Sequence, residues 1–178
     1  MATFTLVFIA ALALATATKL WLGMRHLGHI QRHRGVVPAE FAHEISVNAH
    51  QHAADYSCAK TRLALLTTAF ECALIVALTF GGALQWLQSV TAAWFAPGVA
   101  HGVSILILLG AISTLLDLPF ACYRTFGIEQ RFGFNKMTPL MFVVDGLKNA
   151  ALAAALGIPL ITCILWGATT ALAIYWPF

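Results

Sequence analysis

Long apolar segments alternate with polar segments along this chain. The apolar segments cover about residues 3–24, 63–87, 98–122 and 147–176, and each reaches the roughly 20 residues that an α-helix needs to cross a bilayer. We find no alternating pattern of the kind that transmembrane β-strands show. The pattern predicts an all-α integral membrane protein with about four transmembrane helices, organised as a single membrane domain over residues 1–178.

Details inside the apolar segments refine this prediction. No Lys or Arg precedes Lys19, which disfavours a cleavable signal peptide as the alternative interpretation of the first segment. Gly81 and Gly82 lie within the second segment, and we expect one helix to continue through them. The fourth segment is longer than a span requires and contains Pro159, which can kink a helix.

Composition and the position of the charges predict the orientation. Hydrophobic residues make up 60% of the chain and charged residues 10%, whereas soluble domains carry about a quarter charged residues. The net charge of +3 does not indicate a nucleic-acid partner. Nine of the ten cationic residues lie in two predicted loops, 25–62 and 123–148. The positive-inside rule places both loops in the cytoplasm and the N-terminus outside.

Histidines are the first candidates for chemistry. His26, His29 and His33 share one face if the first helix continues beyond the bilayer, and imidazoles at such spacing can bind a metal. The interleaved arginines favour a solvated polar face instead. The segment His43–Val47 begins like the zinc motif HExxH, but its fifth residue is Val47, so it lacks the second ligand.

Three charged residues interrupt the apolar segments. Lys19, Glu71 and Asp117 all lie toward the predicted cytoplasmic ends, with Glu71 about 12 Å into its helix at 1.5 Å per residue. A charge near the centre of a bilayer costs at least about 2.5–3.5 kcal/mol, so such groups face a cavity or each other. Two interpretations remain open: a polar-lined cavity that opens inward, or structural roles as a Lys19–Glu71 pair and as an Asp117 cap at Pro119.

Residues 117–148 mix aromatic and charged side chains. Four phenylalanines, from Phe120 to Phe134, stand among charged residues, a density of aromatics that is unfavourable in a free loop. We expect this segment to pack on the membrane surface, on its own helices or on another domain. Gly133, before Phe134 and Asn135, predicts a tight turn.

Several segments resemble one known family in their order and spacing. They are Val37-Pro38 with Phe41, Asp55-Tyr56-Ser57 with Ala59-Lys60-Thr61-Arg62, Asp117-Leu118-Pro119-Phe120, Tyr123-Arg124-Thr125-Phe126, and, most specifically, Phe132-Gly133-Phe134-Asn135-Lys136-Met137-Thr138-Pro139. Over about residues 20–176 the chain resembles the N-terminal membrane domain of the CAAX prenyl endopeptidases, zinc metallopeptidases with bacterial relatives.

The resemblance implies a multi-spanning protease whose helices enclose a chamber, located here in a bacterial inner membrane. It implies that zinc is held by a later C-terminal domain of the same protein and that peptides are the substrates. The chain itself lacks HExxH, so we expect a truncated protein or one half of a split protein, with no metal of its own and no activity alone. Chamber-lining or domain-packing roles are predicted for Glu71, Asp117, Arg124, Glu129, Asn135, Lys136 and Asp145.

Two other functions are alternatives to a protease membrane domain. A stand-alone membrane transporter could use Lys19, Glu71 and Asp117 as an ion or proton relay, although no inverted repeat supports it. A membrane-anchored adaptor could present the basic 25–62 segment to anionic lipids or to a partner, but ordinary positive-inside bias also accounts for those charges.

Overall fold

The computed structural model describes residues 2–41 and 43–175. It contains five α-helices: α1 (Ala2–His33), α2 (Val47–Phe80), α3 (Ala83–Ala92), α4 (Val99–Cys122) and α5 (Pro139–Tyr175). A short 3-10 helix, Ala39–Phe41, lies between α1 and α2, and a π-helical segment, Tyr123–Glu129, continues α4. Of the residues that the structure describes, 86% are helical and none lies in a β-strand.

Four of these helices are long and apolar enough to cross a membrane, which confirms the predicted fold class. They run over Thr3–His33, Val47–Phe80, Val99–Glu129 and Pro139–Ala171. The helices are longer than the apolar segments, so the predicted loops 25–62 and 123–148 are largely helical. Hydropathy detects the apolar, lipid-facing part of a helix. It does not detect polar helical turns that continue beyond that part. The predicted end of the fourth span, Trp176, lies outside the described residues.

Capping residues explain where α2 and α5 begin. The Ser46 hydroxyl accepts a hydrogen bond from the backbone N–H of Ala49 at 3.2 Å, which satisfies one of the otherwise free donors of the first turn. Thr138 does the same for the N–H of Met141 at 3.2 Å. Pro139 then occupies the first helical position, where a missing N–H has no cost.

The prediction of one helix through the glycine pair was wrong. Helix α2 ends at Phe80, and Gly82 has a left-handed backbone with φ of 76° before α3 begins. Glycine adopts this conformation without the steric penalty of a side chain, so the pair terminates one helix and starts another. In contrast, α4 continues through Pro119 and α5 continues through Pro159.

The helices form two compact units. Unit 1 contains the residues up to Leu78 together with Pro119–Asn135, and unit 2 contains Thr79–Leu118 and the residues from Lys136 onward. Within unit 1, α1 and α2 approach closely, because a Cβ at Gly23 would lie 2.6 Å from Cδ2 of Leu65. Within unit 2, a Cβ at Gly102 would lie 3.0 Å from Cδ1 of Leu165, which brings α4 near α5. Small residues at helix contacts permit such approaches.

The helices bury little apolar surface. Between 0% and 6% of each membrane-spanning window is buried. Among the described residues, the buried apolar side chains are Ala54, Cys58, Leu87, Val103 and Ile128. Apolar side chains on the remaining surface need a nonpolar environment, because exposing such an area to water is unfavourable. Lipid or further protein therefore surrounds most of these helices.

Candidate functional site: an aromatic and charged corner in unit 1

The segment after the π-helix packs on the polar beginning of α2. The ring of Phe132 lies 5.2 Å from that of His52 and 5.5 Å from that of Tyr56. Phe134 contacts the same two rings, with centroid distances of 6.3 Å to His52 and 4.7 Å to Tyr56. These separations fall within the range of favourable aromatic pairs. We call His52, Tyr56, Phe132 and Phe134 the aromatic cluster.

A tight turn presents the two phenylalanines. Gly133 has a left-handed φ of 75°, as expected for the predicted turn. The backbone carbonyl of Glu129 accepts hydrogen bonds from the N–H groups of Phe134 at 2.9 Å and Asn135 at 3.1 Å. Residues 132–134 therefore form an ordered reversal of the chain. Of the three packing partners considered for this segment, the structure shows its own helix α2.

A bidentate ion pair joins the end of α1 to α2 next to this cluster. Arg34 Nε and Nη2 donate to the two carboxylate oxygens of Asp55 at 2.7 and 2.8 Å. The hydrogen bonds and charge of Asp55 raise the pKa of the Arg34 guanidinium above its ordinary value. Paired fork geometry of this kind adds directional specificity to the attraction.

A groove of about 500 Å³ lies between the same two helix ends. Its polar lining comes from His29, His33, His50 and Ser57, and its apolar lining includes Ile30 and Pro38. His33 Nδ1 lies 2.9 Å from the carbonyl of His29, and His50 Nε2 lies 3.1 Å from the carbonyl of His33. A carbonyl only accepts, so these two nitrogens carry the protons.

Helix α1 continues past its apolar segment to His33, and the tilted rings of His29 and His33 lie 4.3 Å apart. Within residues 2–41 and 43–175, no group of three His, Cys, Asp or Glu side chains is placed to hold a metal ion.

The intramembrane charges do not form the structural contacts that were considered. In the described ranges, neither Glu71 nor Asp117 makes an ion pair, so Lys19 and Glu71 do not form the pair considered above. Asp117 lies within α4, which does not end at Pro119, so it caps no turn there. All three side chains are exposed.

The other predicted site residues are distributed over both units. Arg124, Glu129 and Asn135 belong to unit 1, as does Glu71, whereas Lys136 and Asp145 belong to unit 2 with Asp117. Glu129 and Asn135 are brought together by the turn described above. Asp145 pairs with Lys148 at 3.6 Å, one turn along α5. The prediction from residue types did not identify Arg34 and His52, which no local pattern connects to their partners.

Four apolar helices of spanning length, joined by charged and aromatic segments, define a multi-pass helical membrane protein. A sequence profile described as "CAAX prenyl protease N-terminal, five membrane helices" matches residues 26–177. The chain belongs to this family and corresponds to its N-terminal membrane domain.

Individual relatives agree with this assignment. The "CAAX prenyl protease 1 homolog" of Caenorhabditis elegans is 30% identical over 161 residues, which are 89% of this chain and 36% of that protein. "CAAX prenyl protease 1" of Saccharomyces cerevisiae is 42% identical over 67 residues, which are 38% of this chain and 15% of that protein. This chain therefore spans well under half the length of either relative.

A solved structure shares the fold. The crystal structure of S. mikatae Ste24p matches 96% of this chain and 40% of its own chain, with a TM-score of 0.81 at 24% sequence identity. The family assignment disfavours the stand-alone transporter that Lys19, Glu71 and Asp117 suggested.

Proposed function

We propose that this chain forms part of the wall of an intramembrane chamber in a zinc metalloendopeptidase and packs against a C-terminal catalytic domain. Membership in the CAAX prenyl protease family supports the enzyme class. Peptide substrates are proposed on the same ground. The observation that carries the chamber role is the exposure of Glu71 and Asp117 on apolar helices without an ion-pair partner in the described residues. Charged side chains at such positions avoid lipid, so they face a cavity or protein.

Zinc does not fit the residues of this chain. The sequence contains no HExxH, and the described ranges contain no group of three potential ligands. We propose that the metal belongs to the C-terminal domain of the full-length protein, and we assign this chain no step of the hydrolysis. Its contribution is to position and enclose the peptide.

The remaining candidate residues are proposed to contact the catalytic domain. Arg124 and Lys136 are exposed, and Glu129, Asn135 and Asp145 are partly exposed. Within unit 1, Glu129 and Asn135 belong to the turn that carries Phe132 and Phe134, whereas Lys136 and Asp145 lie in unit 2. Exposed charged and polar groups of this kind are typical of the rim of a protein-protein interface.

The proposed orientation has the N-terminus outside and the basic segments in the cytoplasm, and the proposed location is a bacterial inner membrane. Charge distribution supports the first, and the second is proposed because the family that the sequence resembles includes bacterial members. Cysteine labelling with an impermeant reagent tests the orientation, with single cysteines introduced at Glu44 and Trp94 of a variant lacking native cysteines. Labelling of position 94 alone in intact cells is the expected result, and fractionation of the producing cells tests the location.

The decisive experiment uses the protein translated from the complete reading frame. Zinc content and cleavage of an unstructured peptide are measured for the wild type and for Glu71→Ala and Asp117→Ala. Glu44→Ala is the matched control, because it removes a carboxylate from the polar connection outside the apolar helices. We expect normal zinc content in all variants, with slower cleavage only for Glu71→Ala and Asp117→Ala. Unchanged cleavage by correctly folded variants would contradict the chamber role.

A further inference from the structure

Three cations of unit 1 lie over aromatic rings. The Arg25 guanidinium lies 5.1 Å from the ring of Trp21, Lys60 Nζ lies 5.1 Å from the ring of Tyr56, and the Arg131 guanidinium lies 5.8 Å from the ring of Phe132. Contacts of this type hold the cation over the ring face within about 6 Å. They orient the charge but do not neutralise it, and they leave N–H groups free for an anion.

Two of these cations lie on adjacent rings. Tyr56 and Phe132 belong to the aromatic cluster and are 5.5 Å apart, so Lys60 and Arg131 flank one ring pair. Through the part of the chain that the structure describes, neither forms an ion pair. The nearby carboxylate of Asp55 has both oxygens bonded to Arg34. No described carboxylate therefore lies within ion-pair distance of Lys60 or Arg131, although Asp55 lies close enough to interact with Arg131 electrostatically.

The position of Lys60 relative to its apolar segment indicates the kind of anion. Lys60 precedes the apolar segment that begins at Leu63 by three residues, or about 4.5 Å along the helix. That distance corresponds to the headgroup level of a bilayer, where tyrosine and other amphipathic rings are enriched. The phosphate of a phospholipid lies at this headgroup level, whereas a soluble acidic ligand is not confined to it.

We propose that Lys60 and Arg131, oriented by Tyr56 and Phe132, form a binding site for the phosphate headgroup of an anionic phospholipid. The ammonium and guanidinium donate hydrogen bonds to the phosphate oxygens, and the rings contact the glycerol and upper acyl region. This site goes beyond positive-inside orientation, because it singles out two of the ten cationic residues. It does not depend on the proposed protease function.

Native mass spectrometry of the detergent-solubilised chain tests the site. The protein is titrated separately with phosphatidylglycerol and phosphatidylcholine, and the ratio of the two association constants is the measured quantity. We expect the wild type to prefer phosphatidylglycerol. Lys60→Gln and Arg131→Gln should each lower that preference about fivefold, the effect of one cation near an anionic membrane surface.

Two further variants distinguish a site from a diffuse surface potential. Arg62→Gln removes a cation two residues further along α2, where the side chain points away from Lys60 on a helix of 3.6 residues per turn; it should change the preference less than twofold. Lys60→Arg keeps the charge and should retain the preference, which controls for folding. An equal loss in Arg62→Gln, or a wild type without preference for phosphatidylglycerol, would overturn the proposal. Displacement of bound phosphatidylglycerol by an acidic peptide would also overturn it in favour of a protein ligand.

Discussion

Replacing Tyr56 by alanine should release the turn that carries Phe132 and Phe134. The ring of Tyr56 contacts both phenylalanines, at centroid distances of 5.5 and 4.7 Å. An aromatic pair contributes about 0.5–1.5 kcal/mol beyond the area it buries. Loss of two pairs therefore costs roughly 1–3 kcal/mol. The free energy needed to open the turn locally should fall by the same amount.

Hydrogen exchange measures that opening at two specific amides. The N–H groups of Phe134 and Asn135 are held by the carbonyl of Glu129 at 2.9 and 3.1 Å, and they exchange when the turn opens. A change of about 1–3 kcal/mol corresponds to exchange that is roughly 5-fold to more than 100-fold faster. The experiment compares the wild type with Tyr56→Ala in the same detergent, residue by residue.

A conservative variant and a distant amide serve as controls. Tyr56→Phe keeps both ring contacts and should change exchange at Phe134 less than twofold. The amide of Phe95 bonds to the Thr91 carbonyl at 3.0 Å in unit 2 and should exchange at the wild-type rate in every variant. If Tyr56→Ala leaves exchange at Phe134 and Asn135 unchanged, the aromatic contacts do not hold the turn, and its order has another cause.

Two further predictions concern helix contacts, and reversible unfolding in mixed detergent measures both. Gly23→Leu should destabilise unit 1 by about 1–3 kcal/mol through overpacking, because even a Cβ at this position would lie 2.6 Å from Leu65. The control Gly28→Ala has only the end of the Arg32 side chain within 4.0 Å and should be neutral or slightly stabilising; equal losses in both variants would exclude close packing as the cause. Thr91→Val should destabilise unit 2 by about 1–3 kcal/mol, because His101 Nε2 lies 2.9 Å from the buried Thr91 hydroxyl and would lose that partner. Thr91→Ser, which keeps the hydroxyl, should retain most of the stability, and a Thr91→Val variant as stable as the wild type would show that this hydrogen bond contributes nothing.

The four spans could be predicted from the sequence because transfer of a helix into lipid depends on the residues of that helix alone. The mean hydropathy over about 20 residues is little changed by one charged residue such as Glu71. The same reasoning did not find the helix ends. Ser46 before α2 and Thr138-Pro139 before α5 are capping signals that can be read from sequence, but hydropathy ends where the polar turns begin.

The glycine pair is a case in which local composition gave a wrong prediction. Gly81 and Gly82 are compatible with an apolar helix by composition, and the prediction kept them within one span. The left-handed backbone of Gly82 is one of several conformations open to glycine. Composition does not distinguish among these conformations, so an average over composition could not predict this one.

The Arg34–Asp55 ion pair and the aromatic cluster of unit 1 depended on tertiary structure. Arg34 and Asp55 are 21 residues apart, and Tyr56 is separated from Phe132 by almost half the chain, so no periodicity relates either pair. The sequence alone determined that the aromatic segment needed a packing surface, because so many exposed rings are unfavourable in water. Only the tertiary structure determined that this surface is the polar start of α2. The reason is that the surface depends on which helix ends lie close together when α1 and α2 pack.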